Sequence, residues 1–274
     1  MVKIELPSFI LIKTLTLLCN KMNIKSFTFL ITVFLIGCYD PPELSVEPAI
    51  SFNKIIFVEV DGASDSLILT FNFQDGDGDI GLDANELAPP YHTFNYVVEQ
   101  LPSSYNPIEF GQSQFLEPLQ LAVIYNEEII LSGSYDASGG LPPYGCADYI
   151  IVMDEQASPG DSDQTDTLLI EKNIYNKNIY VDFYRKIRGE YQLINDDFSQ
   201  GGCVEFFNSR IPVFDENNIG RVLTGDISFS MLSQGFKQTF KNDSIKMSFY
   251  IYDRGLNKSN VAETPDFVLA NITK

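Results

Sequence analysis

The chain is written largely in a period of two. In Leu67-Ile68-Leu69-Thr70-Phe71-Asn72-Phe73 the odd positions are large and apolar while the later even ones turn polar. That is the alternation of a strand with one face in a core and the other toward water. Ile179-Tyr180-Val181-Asp182-Phe183-Tyr184 follows the same rule. So does Ile245-Lys246-Met247-Ser248-Phe249-Tyr250-Ile251-Tyr252, which sets Ile, Met, Phe and Ile on one face. Further strands are predicted over Ile50–Val60, Thr93–Glu99, Leu119–Tyr125, Glu128–Ser132, Tyr149–Met153, Thr167–Lys172, Glu190–Ile194, Val204–Phe207, Arg221–Leu232 and Phe267–Ile272. Clusters of Gly, Pro, Asn and Asp separate these runs at sandwich-like intervals. No window carries a sustained helical stripe, so the chain is predicted to be all-β.

Two of these strands echo one another. Asp65-Ser66-Leu67-Ile68-Leu69-Thr70-Phe71-Asn72-Phe73-Gln74-Asp75 aligns with Asp243-Ser244-Ile245-Lys246-Met247-Ser248-Phe249-Tyr250-Ile251-Tyr252-Asp253. The first Asp, the Ser, one Phe and the last Asp are identical, and the apolar positions coincide. Duplication and chance agreement between two strands both account for this.

The pattern before residue 49 is of another kind. An apolar run, Phe27–Ile36, leads into Leu35-Ile36-Gly37-Cys38. This resembles the lipobox of bacterial lipoproteins, in which the cysteine is lipidated and becomes the first residue of the mature chain. The run is shorter than the roughly 20 residues that span a bilayer. The resemblance implies that residues 1–37 are a signal peptide, that Cys38 is the lipidation site, and that the protein is a cell-envelope lipoprotein of the outer membrane. Residues 1–21 hold a second apolar stretch, and Met22-Asn23-Ile24-Lys25-Ser26 makes an ordinary basic start. Either Met22 is the true start or the leader is unusually long. Residues 38–48, with three prolines and three acids between Tyr39 and Pro48, read as a lipidated tether.

Near the other end, Asp253-Arg254-Gly255-Leu256-Asn257-Lys258-Ser259-Asn260, followed by Thr264-Pro265, resembles the last hairpin of bacterial immunoglobulin-like domains. Those domains often show Asp…Gly-Asn-x-Ser-Asn there; in this chain Leu256 intervenes before Asn257. With the lipobox and an Asp-Gly-rich loop, the chain resembles Bacteroidota-type envelope lipoproteins, whose roles are largely unassigned. The fold that the resemblance implies is tandem immunoglobulin-like antiparallel β-sandwiches, which agrees with the strand pattern. The boundary is placed in Gln156–Gln164, giving domains at 49–157 and 158–274. The competing layout is one sandwich, its first strands before residue 100 and its last after 220, with a long insertion.

Charge and cysteine content narrow the partners. The net charge is −19, and it becomes more negative once Lys3, Lys13, Lys21, Lys25 and Glu5 leave with the leader. Such a surface argues against nucleic acid, which requires a basic face, and leaves the lipid as the membrane attachment. With 45% hydrophobic residues, 21 Phe and 14 Tyr, the chain has ample material for a core and its acidity does not mean disorder. Of four cysteines, Cys19 lies in the leader and Cys38 in the lipobox. Cys146 and Cys203 each follow a glycine and are predicted to form a disulfide in an oxidising compartment. In the chain-entropy model that loop closure contributes roughly 4 kcal/mol. Two buried free thiols are the alternative.

One segment looks like a site. Asp75-Gly76-Asp77-Gly78-Asp79-Ile80-Gly81-Leu82-Asp83-Ala84-Asn85-Glu86 offers alternate carboxylates to a cation that takes six to eight oxygens. Against the EF-hand loop, Asp75, Asp77, Asp79, Asp83 and Glu86 fall on positions 1, 3, 5, 9 and 12, and the Gly81 carbonyl on position 7. Ile80 replaces the obligatory glycine and a strand, not a helix, precedes the loop, so an EF-hand is excluded. A calcium-stapled loop between strands is expected, with a merely solvated acidic turn as the alternative. Five carboxylates in this space repel strongly without a cation.

Nothing comparable points to catalysis. His92 is the only histidine, so a two-histidine metal site is impossible and a Ser-His-Asp triad would hang on one residue. No glycine-rich loop joins a strand to a helix for phosphate binding. The chain is therefore expected to be a non-catalytic, lipid-anchored envelope module that binds another envelope protein or builds an assembly. The second expectation is capture or processing of a glycan, to which Tyr91, Phe94, Tyr96, Tyr105, Tyr135 and Tyr144 offer faces. Those aromatics read first as packing, since sugar-binding modules lean on Trp and this chain has none.

Overall fold

The computed structural model describes residues 44–112, 114–115, 118–145, 147–153, 165–194, 207–214, 220–240 and 242–274. Cys38, Cys146 and Cys203, the linker Gln156–Gln164 and most of the strand expected at Val204–Phe207 lie outside them. The folded unit is Leu44–Lys274, and it is all-β as the alternation predicts.

Strands β1 (Ala49–Val58), β2 (Asp65–Asp75) and β11 (Leu223–Ser233) form one antiparallel sheet with β2 in the middle. Strands β9 (Ile179–Ile187), β10 (Glu190–Leu193), β12 (Ile245–Ile251) and β13 (Ala262–Glu263) form a second, in the order β10-β9-β12-β13. Their inward residues make one core. Leu67, Leu69 and Phe71 from β2 and Ile245, Met247, Phe249 and Ile251 from β12 are all completely buried. Phe71 packs on Phe249 with ring centroids 5.3 Å apart, and Phe57 meets Phe236 edge to face. The two echoed strands are thus the facing strands of a sandwich.

The residues between β2 and β9 build a third sheet. Its strands are β3 (Phe94–Gln100), β4 (Tyr105–Pro107), β5 (Leu119–Tyr125), β6 (Glu128–Ser134), β7 (Tyr149–Met153) and β8 (Thr165–Lys172). The order is β6-β5-β3-β8-β7, with β4 on β3. Val97, Ile108, Leu119, Leu121, Tyr149 and Leu169 give it a smaller core of its own.

Of the two layouts, the strand order follows the single sandwich with a long insertion. A cut between residues 157 and 158 would part β2 from β11, which are paired in register from Asp65–Ser233 to Asp75–Leu223. It would also divide the core that residues such as Ile50 and Ile179 share. The physical reason is that β2 needs two neighbours, and the segment after it supplies none. The chain end also differs from expectation. In place of a strand over Phe267–Ile272 there is a short helix, Leu269–Ile272. Leu269 and Ile272, three residues apart, both face the core, which a helical turn permits and strand alternation does not. Among the described residues no helix is long and apolar enough to cross a membrane.

Candidate metal centre

The acidic loop begins where β2 ends. Asp75 is the last residue of β2 and is completely buried; the loop then runs through Asp77 and Asp79, both half-buried. The glycines between them are spacers that let the loop lie against other backbone. A Cβ on Gly76 would stand 2.4 Å from the Leu44 carbonyl oxygen, and one on Gly78 would stand 2.0 Å from that of Arg221. Gly78 also holds φ of +65°, a region that side chains disfavour. The loop is therefore fixed against the N-terminal segment at Leu44–Ser45, where the Gly76 N–H donates to the Ser45 carbonyl at 2.9 Å, and against the approach to β11.

A fourth carboxylate arrives from the other sheet. Asp253 follows β12 as Asp75 closes β2, at the equivalent place in the echo, and it is buried at 3% exposure. Carboxylate oxygens of Asp75, Asp77, Asp79 and Asp253 all lie within 4.8 Å of one another. The geometry around them is well determined by hydrogen bonds. The Asp79 N–H donates to Asp75 Oδ2 at 2.9 Å, and the Arg254 N–H donates to Asp79 Oδ1 at 3.3 Å. Asn257 donates its backbone N–H to Asp253 Oδ1 at 2.7 Å and its Nδ2 to Oδ2 at 2.9 Å. Burial first, then the charges of Asp77, Asp79 and Asp253, push the Asp75 carboxyl up to about 7. Burial likewise raises Asp253 to about 6 against the opposing Asn257 hydrogen bonds, and raises Asp79 as well. A set of four oxygen donors without histidine or cysteine is the chemistry of a hard cation.

The remaining residues of the predicted ligand set are placed otherwise. Glu86 makes a two-pronged ion pair with Arg254, at 2.8 and 2.6 Å. Asp83 uses Oδ1 to accept the Asn85 N–H at 2.8 Å. Gly81, at φ of +127°, is a site of close packing: a Cβ there would come within 2.6 Å of Val213 Cα. The backbone here is held by one side chain. Arg210 donates to the backbone carbonyls of Asp83, Glu86, Tyr91 and Asn176. The Tyr91 hydroxyl donates to the Arg254 carbonyl at 2.7 Å. These bonds clamp both legs of the inserted sheet to the sandwich.

Asp253 is the ligand candidate that the loop spacing does not reveal. The echo of Asp75 in Asp253 was its signal in the sequence. Nothing in linear order shows Arg210 as the clamp.

His92 is held between two amides, with Nε2 3.0 Å from Asn95 Oδ1 and Nδ1 3.3 Å from Asn173 Nδ2. On the inserted sheet, a cleft of about 640 Å³ is lined by residues including Glu99, Asn106, Glu109, Gln112 and Asp166. Phe110 borders it and stacks edge to face on Tyr144 and Tyr149, with centroids 5.3 and 5.4 Å away. Phe110 and Tyr144 are each about half exposed, at 50% and 54%. Comparison with known proteins finds no matching family model, no similar curated protein and no similar solved structure.

Proposed function

We propose that this protein is a lipid-anchored, non-catalytic module of the cell envelope, with calcium as a structural cofactor at the acidic loop. The observation that carries the reading is the convergence of four carboxylates at one end of the sandwich. Buried acids drawn together from two sheets favour holding a cation over proton transfer, because three of them already spend oxygens on backbone or amide donors. The sole histidine, bracketed by Asn95 and Asn173, is positioned as a packing residue. The address comes from the lipobox resemblance at Cys38, and the binding partner is another envelope protein.

The anchor is tested by replacing Cys38 with Ser and following metabolic lipid labelling and membrane fractionation. Loss of label and release from the membrane are expected. A Cys38→Ser form that keeps its label and its membrane attachment rules the anchor out.

A second reading, glycan binding, is favoured by the cleft beside Phe110. Acids and amides line it, and exposed aromatic faces border it, the combination that stacks and hydrogen-bonds a sugar. A glycan array probed with the purified protein and with Phe110→Ala separates the readings. Ligands lost in the variant would favour the glycan.

A further inference from the structure

We propose that Asp75, Asp77, Asp79 and Asp253 form a single calcium site that ties the two sheets of the sandwich together. The inference rests on the acidic loop being a cation site and changes its ligand set. The contiguous loop of Asp75 to Glu86 gives way to three loop carboxylates closed by Asp253 from the opposite sheet.

Two independent observations support it. The first is the convergence itself, with oxygens from all four side chains within 4.8 Å of one another. The second is an orphaned oxygen. Asp75 has no exposed surface, and its Oδ1 has no hydrogen-bond partner among the described residues. A buried carboxylate oxygen left in that state costs several times an ordinary hydrogen bond, and a cation is the partner that relieves it. Asp77 is half-buried, but its Oδ1 is likewise buried and without a hydrogen-bond partner among the described residues. Arg254, whose charge bears on Asp79, is committed to Glu86.

The donor set also selects the ion. Zinc and copper favour nitrogen and sulfur, which the site lacks. Magnesium usually takes one or two carboxylates and keeps several waters, whereas calcium accepts a cage of many protein oxygens. Asp75 closes the middle strand of one sheet, and Asp253 follows a central strand of the other. An ion between them pins the two sheets at their shared end, next to the stem of the inserted sheet.

The test uses the full chain purified in detergent. Calcium binding is measured by calorimetric titration for the wild type, Asp253→Asn and Glu86→Gln. Wild type is expected to bind one calcium more tightly than magnesium. Asp253→Asn should weaken binding by about tenfold or more, the scale that even outer-shell changes reach. Glu86→Gln should bind as wild type does. To separate lost binding from lost folding, melting is followed in chelator, where Asp253→Asn, which removes a repulsion but also one of the two acceptors for Asn257, should still give a single cooperative transition. Unchanged affinity in Asp253→Asn together with loss in Glu86→Gln overturns this site and leaves the contiguous-loop reading standing. No calcium uptake by wild type overturns both.

Discussion

Phe71 and Phe249 occupy equivalent places in two echoed stretches of sequence and meet ring against ring across the sandwich, centroids 5.3 Å apart. Four residues further along each stretch stand Asp75 and Asp253, which meet again as carboxylates. The same eleven-residue pattern thus supplies both the apolar centre of the core and two of the acids at its end.

The ring pair is expected to dominate local stability. Phe71→Ala or Phe249→Ala should each lower unfolding free energy by about 3–5 kcal/mol, the usual range for a fully buried Phe. The double variant should cost less than the sum of the two, by about 0.5–1.5 kcal/mol. Urea midpoints for the four forms check this. Strict additivity would mean that the rings do not interact.

The acidic centre should make stability depend on pH in an unusual direction. Asp75 is pushed to about 7 and Asp253 to about 6 in the folded protein, above the roughly 3.9 of an unfolded Asp. The folded state therefore holds protons that the unfolded state has released. In chelator, stability should be greatest near pH 4 and should fall as pH rises toward about 7. Saturating calcium should abolish or reverse that slope, because the ion replaces the protons. Melting temperatures across this range, with calcium and with chelator, report the sign; a rise with pH in chelator would contradict the burial of unneutralised acids.

Two glycines with the same backbone preference should differ sharply. Gly62 and Gly78 hold φ of +75° and +65°, but a Cβ on Gly62 meets nothing within 4 Å while one on Gly78 meets the Arg221 carbonyl at 2.0 Å. Gly62→Ala should cost only the strain of its conformation, roughly 1–2 kcal/mol. Gly78→Ala should cost distinctly more and should disturb the acidic loop. Equal losses in urea unfolding would show that the loop yields easily.

Local pattern was enough to read the facing strands. Leu67 to Phe73 and Ile245 to Ile251 alternate so cleanly that burial follows the odd positions almost without exception. Alternation carries no information on which strand pairs with which, so the tandem cut and the true pairing of β2 with β11 were equally compatible with it. Linear spacing reads the near end of the loop more directly than its far end. Spacing identifies Asp75, Asp77 and Asp79, but Glu86 is claimed by Arg254, which arrives 168 residues later. The last turn, Leu269–Ile272, is too short for periodicity to declare itself, and only its docking on the core makes it helical.

The position of the insertion has a consequence for the order of events during synthesis. The hairpin of β1 and β2 leaves the ribosome first, yet the strand that covers the free edge of β2 comes only after the whole inserted sheet has been made. Until then a row of unpaired backbone groups stands open to any passing strand, and the opposite layer that covers Leu67, Leu69 and Phe71 begins only with β9, after the inserted sheet. The inserted sheet draws on its own residues for a core and needs no such delay. The youngest part of the chain therefore completes the oldest, and a product truncated after β8 would carry one sheet with its own core beside a bare, adhesive hairpin.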